Sequence, residues 1–218
     1  AVSGAVMQSI LKNPLGSPFT LGISHAAAFG AAFAIIMLDF SGSFADRILG
    51  EIYIPAISAF LFSQIAIFIV IFLARKKSSS PETMVLAGIA LSSLFTAGTT
   101  ALQFFADDLE LASVVYWTFG DPGRASWIQI LIITLSFIFI FIYFIYQGWN
   151  FSILNAGDEL AVSLGIDTEK IRLYGMFAAS LLTAVIISFV GIIGFIGLVT
   201  PHIIRKISQS SERFHLIN

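Results

Sequence analysis

Five long stretches of this chain contain no Asp, Glu, Lys or Arg: 13–38, 52–74, 83–106, 125–157 and 173–204. A helix needs about 20 mostly apolar residues to cross the hydrocarbon layer of a bilayer, and each stretch exceeds that. Inside a membrane every backbone N–H and C=O must find a partner within the protein, so only helices and closed barrels can span it. Barrel strands read as alternating segments of about ten residues. These runs are continuous, so the chain reads as all-α, a polytopic transmembrane helical bundle with six to seven spans or part-spans. The composition agrees: 57% of residues are hydrophobic and 11% are charged, against about 25% charged in soluble domains.

Composition also excludes function classes. With no Cys, a disulfide framework, Cys-ligated zinc and a thiol nucleophile are out. A net charge of −2 and the lack of a basic patch give no reason to expect a nucleic-acid partner. The chain opens on Ala1 inside what reads as the end of a helix. It therefore reads as a fragment of a single membrane domain, 1–218, incomplete at both ends.

Residues 1–11 are rich in small side chains that let helices approach closely. Lys12 and Asn13-Pro14 stop that helix, because the residue before proline disfavours the α region. NPLGSPFTLGIS (13–24) then reads as a non-helical connector, tolerable at membrane depth only against protein or a cavity. His25 reads as a satisfied interior histidine. In the next spans, Pro55 lies near the start of the run 52–74, where a missing N–H costs least.

The run 83–106 has an unusual polar load: Ser92, Ser93, Thr96, Thr99, Thr100 and Gln103. Spacings of three and four put Thr96, Thr99, Thr100 and Gln103 on one helical face. Two readings stand side by side, interhelical hydrogen bonding and a pore-lining face. Residues 111–119 can form a short interfacial helix. Trp127 marks where the next span enters, and Tyr146 and Trp149 where it leaves. Further on, Gly191, Gly194 and Gly197 break the helix, and Pro201 can start a short final helix bearing His202 and Arg205.

The polar interruption 150–172, NFSILNAGDELAVSLGIDTEKIR, organises the rest. Gly157-Asp158 can start a short helix, with Asp158 as N-cap or first-turn acid. Leu160 and Leu164 fall one turn apart, and Gly165 can end the helix with a positive φ. Asp167 offers a second N-cap. Two short helices joined at a glycine, with an apolar ridge and acidic starts, make a docking knob for a soluble partner; a plain interfacial loop is the alternative. If the spans alternate, one side carries Lys12, Arg75, Lys76, Lys77, Lys170 and Arg172, six cations, and the other Arg47 and Arg124, two. The excess places the knob in the cytoplasm.

The sequence contains no P-loop, no His pair at metal-ligand spacing and no nucleophile beside a base. A polar-faced helix and a cytoplasmic knob favour a transporter subunit over an enzyme. A structural membrane protein is the other class left open, and a manganese/zinc-type permease is the alternative within transport.

Several motifs strengthen the transport reading. GAVMQSILKNPLGSPFTLGIS (4–24), LAGIALSSLF (86–95), VVYWTFGDPGRASW (114–127), LNAGDELAVSLGID (154–167) and GIIGFIGLVTPHIIR (191–205) occur in one order. Together they resemble the binding-protein-dependent ABC importer permeases for iron–siderophores, haem and vitamin B12, the FecCD-like family. Asn13, Pro14, Gly194, Gly197, Pro201, His202 and Arg205 lie in the matching motifs.

The resemblance implies alternating access in a pair of permease copies, with no bond-making by the permease. Gly157, Asp158, Glu159, Leu160, Ala161, Leu164 and Gly165 would dock in a cytoplasmic ABC ATPase, which carries the ATP and Mg; this chain would bind no cofactor. Ser92, Thr96, Thr99, Thr100 and Gln103 would line the path, and Ser78, Ser79 and Ser80 would form a cytoplasmic gate. The outer loops would meet a substrate-binding protein, with Arg47 and Arg124 as docking candidates.

Overall fold

In the computed structural model, residues 1–38, 44–76 and 80–208 are described, apart from the side chains of 44–52 and 208. They form α1 (Val2–Leu11), α2 (Ile23–Met37), α3 (Phe44–Arg75), α4 (Pro81–Phe105), α5 (Asp108–Thr118), α6 (Trp127–Ala156), α7 (Asp158–Ser163), α8 (Thr168–Val190) and α9 (Ile196–Ser208). A single 3-10 turn, Pro122–Arg124, precedes α6. Among the described residues, four helices are long and apolar enough to cross a membrane: Tyr53–Arg75 within α3, α4, α6 and α8. The shorter apolar helices α1 and α2 are the part-spans. The architecture is the all-α membrane bundle that the charge-free runs demand.

Local chemistry explains where the helices begin. Ser80 caps α4, accepting from Thr83 N at 3.3 Å with Pro81 at the first position. Asp107 and Glu110 form a reciprocal capping box at α5, and Ser126 and Gln129 do the same at α6. Asp167 accepts from Lys170 N at 3.0 Å and starts α8. Each cap satisfies N–H groups that a helix start leaves without partners.

The core sits around α8. Over its most apolar stretch 56% of α8 is buried, against 17% for α6. α8 is therefore the central helix, while α6 presents Phe139, Ile142 and Ile145 outward. α2 and α3 meet along Ala27, Ala31 and Ala59, small residues that let the backbones close. Ser58 Oγ donates to Gly30 O at 2.6 Å and Ser63 Oγ to Ile23 O at 3.2 Å across that seam. The rings of Phe29, Phe62 and Phe95 fill the space between α2, α3 and α4.

The connector after α1 is non-helical and partly buried: Ser17 is 4% and Leu21 0% exposed, while Leu15 and Phe19 stay exposed. Its backbone is satisfied locally. Leu15 N donates to Asn13 Oδ1 at 2.9 Å, Ser17 N to Thr20 Oγ1 at 2.9 Å, and Ile23 N to Pro18 O at 3.2 Å. At 15 residues, α2 is about 22 Å long, so this folded connector makes up the rest of the crossing.

Three sequence expectations are corrected. α3 begins at Phe44, so Pro55 lies inside it and not near its start. Ala45, Arg47, Leu49 and Glu51 are good helix formers upstream of the proline, and one proline kinks a long helix without having to end it. α6 continues past Tyr146 and Trp149 to Ala156, about 45 Å in all. The interruption 150–172 thus shrinks to 157–167, with one short helix in it. Gly197 and Pro201 both lie inside α9; the break runs from Gly191 to Phe195, and α9 starts on bonds from Leu198 N and Val199 N to Phe195 O.

Candidate functional site

The elbow between α6 and α8 is closed at both ends by glycine. Gly157 takes φ 155°, ψ 146° and serves as C-cap of α6 and N-cap of α7. Gly165 takes φ 78°. There Gly165 N donates to Val162 O and Ile166 N to Ala161 O, both at 2.9 Å, the paired bonds of a Schellman stop. Ala161 is fully buried and anchors α7, while Leu160, Val162 and Leu164 are 48%, 63% and 59% exposed. Glu159 is exposed beside them. The apolar ridge expected from the spacing of Leu160 and Leu164 therefore projects away from the bundle.

Asp158 turns the other way. Arg172 Nη2 donates to its two carboxylate oxygens at 2.6 and 2.7 Å, and Lys12 Nζ lies 2.7 Å from Oδ1. Burial alone would raise the Asp158 carboxyl; the hydrogen bonds and charges of Arg172 and Lys12 outweigh it and hold the pKa below its ordinary value. The charge count alone had used Lys12 and Arg172 only for orientation. Their meeting at one carboxylate joins the end of α1, the start of α7 and the first turns of α8, and puts these basic residues at one end of the molecule.

The first and last motifs pack on each other. Arg205 Nη2 donates to Gln8 Oε1 at 2.6 Å, Gln8 Nε2 to Leu198 O at 3.5 Å, and His202 Nε2 lies 3.3 Å from Pro14 O. Pro201 has no N–H for the Gly197 carbonyl four residues back, and that carbonyl faces Gly4 of α1. Asn13 holds the turn after α1, and Gly194 O accepts from Ile196 N at 2.8 Å in the break before α9.

On α4, Ser92, Ser93, Thr96 and Thr100 line an open groove of about 740 Å³ with His25, Ala97, Ala101 and Phe104. Thr99 and Gln103 are half-buried and lie outside it, which narrows the expected polar face. Among the described residues these hydroxyls donate within their own helix. Ser92, Thr96, Thr99 and Thr100 each donate to the carbonyl four residues back, at 2.8, 2.8, 2.8 and 3.1 Å. A hydroxyl can satisfy itself this way within its own helix, so the face needs no neighbour. His25 is corrected: its Nδ1 is buried without a hydrogen-bond partner, and its ring lies against Phe19 at 4.5 Å.

Of the serines proposed as a gate, Ser80 caps α4, while Ser78 and Ser79 lie outside the described residues, as does the Arg47 side chain. Arg124 is half-buried. Its guanidinium sits 5.8 Å from the Tyr116 ring centroid and packs over Gly191, with Nη2 enclosed and unpartnered. It lies beside the seam where Gly120 N donates to Ile192 O and Asp121 N to Val190 O.

A model of the FecCD transport family matches residues 1–218. The chain belongs to the FecCD transport family. Among relatives of this FecCD chain, a Methanocaldococcus jannaschii protein named as an ABC transporter permease is 54% identical over 98% of the chain. The vitamin B12 import system permease protein BtuC of Vibrio vulnificus is 35% identical over 99%, and the hemin transport system permease protein HmuU of Yersinia pestis 33% over 99%. The chain spans 62% of the length of the first two and 63% of the third. A solved structure of the inward-facing conformation of a metal-chelate type ABC transporter superposes with a TM-score of 0.82 at 28% identity, covering 95% of this chain and 64% of that one. The FecCD chain is accordingly a multi-pass membrane protein.

Proposed function

We propose that this chain is the membrane-spanning permease subunit of an ABC importer in the cytoplasmic membrane. It forms the path for an iron–siderophore, haem or cobalamin-type chelate handed over by an extracytoplasmic binding protein. The subunit makes and breaks no bonds; ATP and Mg are handled by separate cytoplasmic ATPase subunits. The observation that carries this reading is α7, a glycine-bounded helix whose Leu160, Val162 and Leu164 project outward from the basic end of the bundle. Exposed apolar side chains on a six-residue helix and its C-cap suit docking into a cleft of a soluble partner. The names of the relatives support the cargo class.

The α4 groove supports a second permease copy. A row of hydroxyls open on one side is half a path, and a second copy closes it. Transport then proceeds by alternating access, in which ATP-driven closure of the partner subunits displaces α7 and shifts the bundle between two packed states.

The test is a photocrosslinker at Leu160 in intact membranes, with and without Leu164→Glu. Capture of a nucleotide-hydrolysing subunit is the expected result, and Leu164→Glu should abolish both that capture and cargo uptake. A crosslinker that captures no such subunit, or full uptake by Leu164→Glu, overturns the reading.

A further inference from the structure

Asp158 is the acid of the elbow that does not face outward, and its two partners differ. Arg172 is 4% exposed and grips both carboxylate oxygens. Removing Asp158 would leave that guanidinium buried with its counter-ion gone, a costly state. Lys12 is 30% exposed and reaches Asp158 from another helix. It is also the C-cap of α1, held at φ 48°, ψ 34°. Glycine usually occupies such a left-handed stop, because a side chain there is strained. A lysine in that place has a side chain to offer, and the structure spends it on Asp158. Ten-residue α1 is in turn held to α9 through Gln8–Arg205 and the Gly4–Gly197 contact.

We infer that Asp158 is a positioning residue: the Lys12–Asp158–Arg172 cluster makes α7, α1 and the start of α8 move as one body. A push on α7 then reaches α9 through α1 and is not absorbed by rotation at Gly157. Without the cluster, α7 keeps only its buried Ala161 and its chain connections, and the one to α6 runs through Gly157, whose surroundings are open, since nothing lies within 4 Å of where its Cβ would be. The consequence for transport rests on the permease reading above; the clamp itself does not.

The test uses the full-length protein and targets the weaker partner, so that the buried Arg172–Asp158 pair survives. In Lys12→Gln, amide exchange over 158–164 should rise about fivefold, the low end of a typical coupling energy between sites, with exchange in α4 unchanged. Lys12→Arg should restore protection, because a guanidinium can also reach the carboxylate. In the assembled transporter, Lys12→Gln should lose a similar factor in binding-protein-stimulated ATP hydrolysis while its ATPase subunits still co-purify. Unchanged exchange in Lys12→Gln, or exchange in Lys12→Arg no lower than in Lys12→Gln, overturns the clamp. Raised exchange in Lys12→Gln, with a parent protein that never co-purifies with an ATPase, upholds the clamp and sinks the permease reading instead.

Discussion

Gly4 of α1 lies so close to Gly197 of α9 that a Cβ built on Gly4 would sit 1.9 Å from the Gly197 carbonyl oxygen. The obstacle is backbone, which cannot rotate away. Gly4→Ala should therefore push α1 off α9 and cost about 1–3 kcal/mol, the range for overpacking. Gly148 of α6 has nothing within 4 Å, so Gly148→Ala should be neutral or stabilise the helix by up to about 1 kcal/mol. Thermal unfolding of the two variants in detergent checks this. An equal midpoint for both would mean the Gly4 contact is slack.

The second prediction concerns the α4 groove. Because the chain has no Cys, single cysteines report accessibility without background. Cysteines at Thr96 and Thr100 should react with a water-soluble thiol reagent faster than one at Thr99, which lies outside the groove. A cysteine at Phe95, 8% exposed, should react slowest. Equal rates at all four positions would contradict the groove.

A third follows from the depressed pKa of Asp158. When a carboxyl titrates lower in the folded state, the unfolded chain binds protons more readily. Its stabilisation is full above the unfolded value of about 3.9 and is lost as pH falls through the folded value. The stability difference between the parent and Asp158→Asn should be constant from pH 7 to pH 5 and shrink below about pH 4. Unfolding midpoints measured across that range test it; a difference that grows on acidification would have the wrong sign.

The fourth separates backbone from packing at the elbow. Gly165 has a left-handed φ of 78° and open surroundings. Gly165→Ala should cost about 1 kcal/mol through backbone strain alone, and Gly165→Asn less, because asparagine tolerates that region. Exchange protection over α7 in the two variants checks the order, and Ala protecting as well as Asn would refute it.

Much of this was legible in the chain. Charge-free runs at spanning length placed α3, α4, α6 and α8, because a bilayer permits few alternatives. Asp167 announced the start of α8 because capping is local. Gly157 and Gly165 bounded α7 for the same reason. Local rules failed where a distant contact decided the outcome. Pro201 read as a helix start, but the carbonyl it leaves free at Gly197 faces Gly4 of α1, and α9 begins upstream at Ile196. Arg124 gave no local sign that its guanidinium packs beside Tyr116 and over Gly191. The α4 hydroxyls shared a face by spacing, yet only the packing of α2 and α3 determined which of them stayed open.

By itself the sequence determined that the chain is a membrane bundle of helices with an acidic, glycine-bounded elbow at its basic end. The cause is short-range: each backbone group in a bilayer must bond within its own helix, and each helix end must find a cap nearby. Tertiary structure alone decided that Asp158 faces Lys12 and Arg172 while Leu160 and Leu164 face out. Those two cations stand 146 residues before Asp158 and 14 after it, and no periodicity links them. They meet because the packing of α1 against α8 brings both to the Asp158 carboxylate.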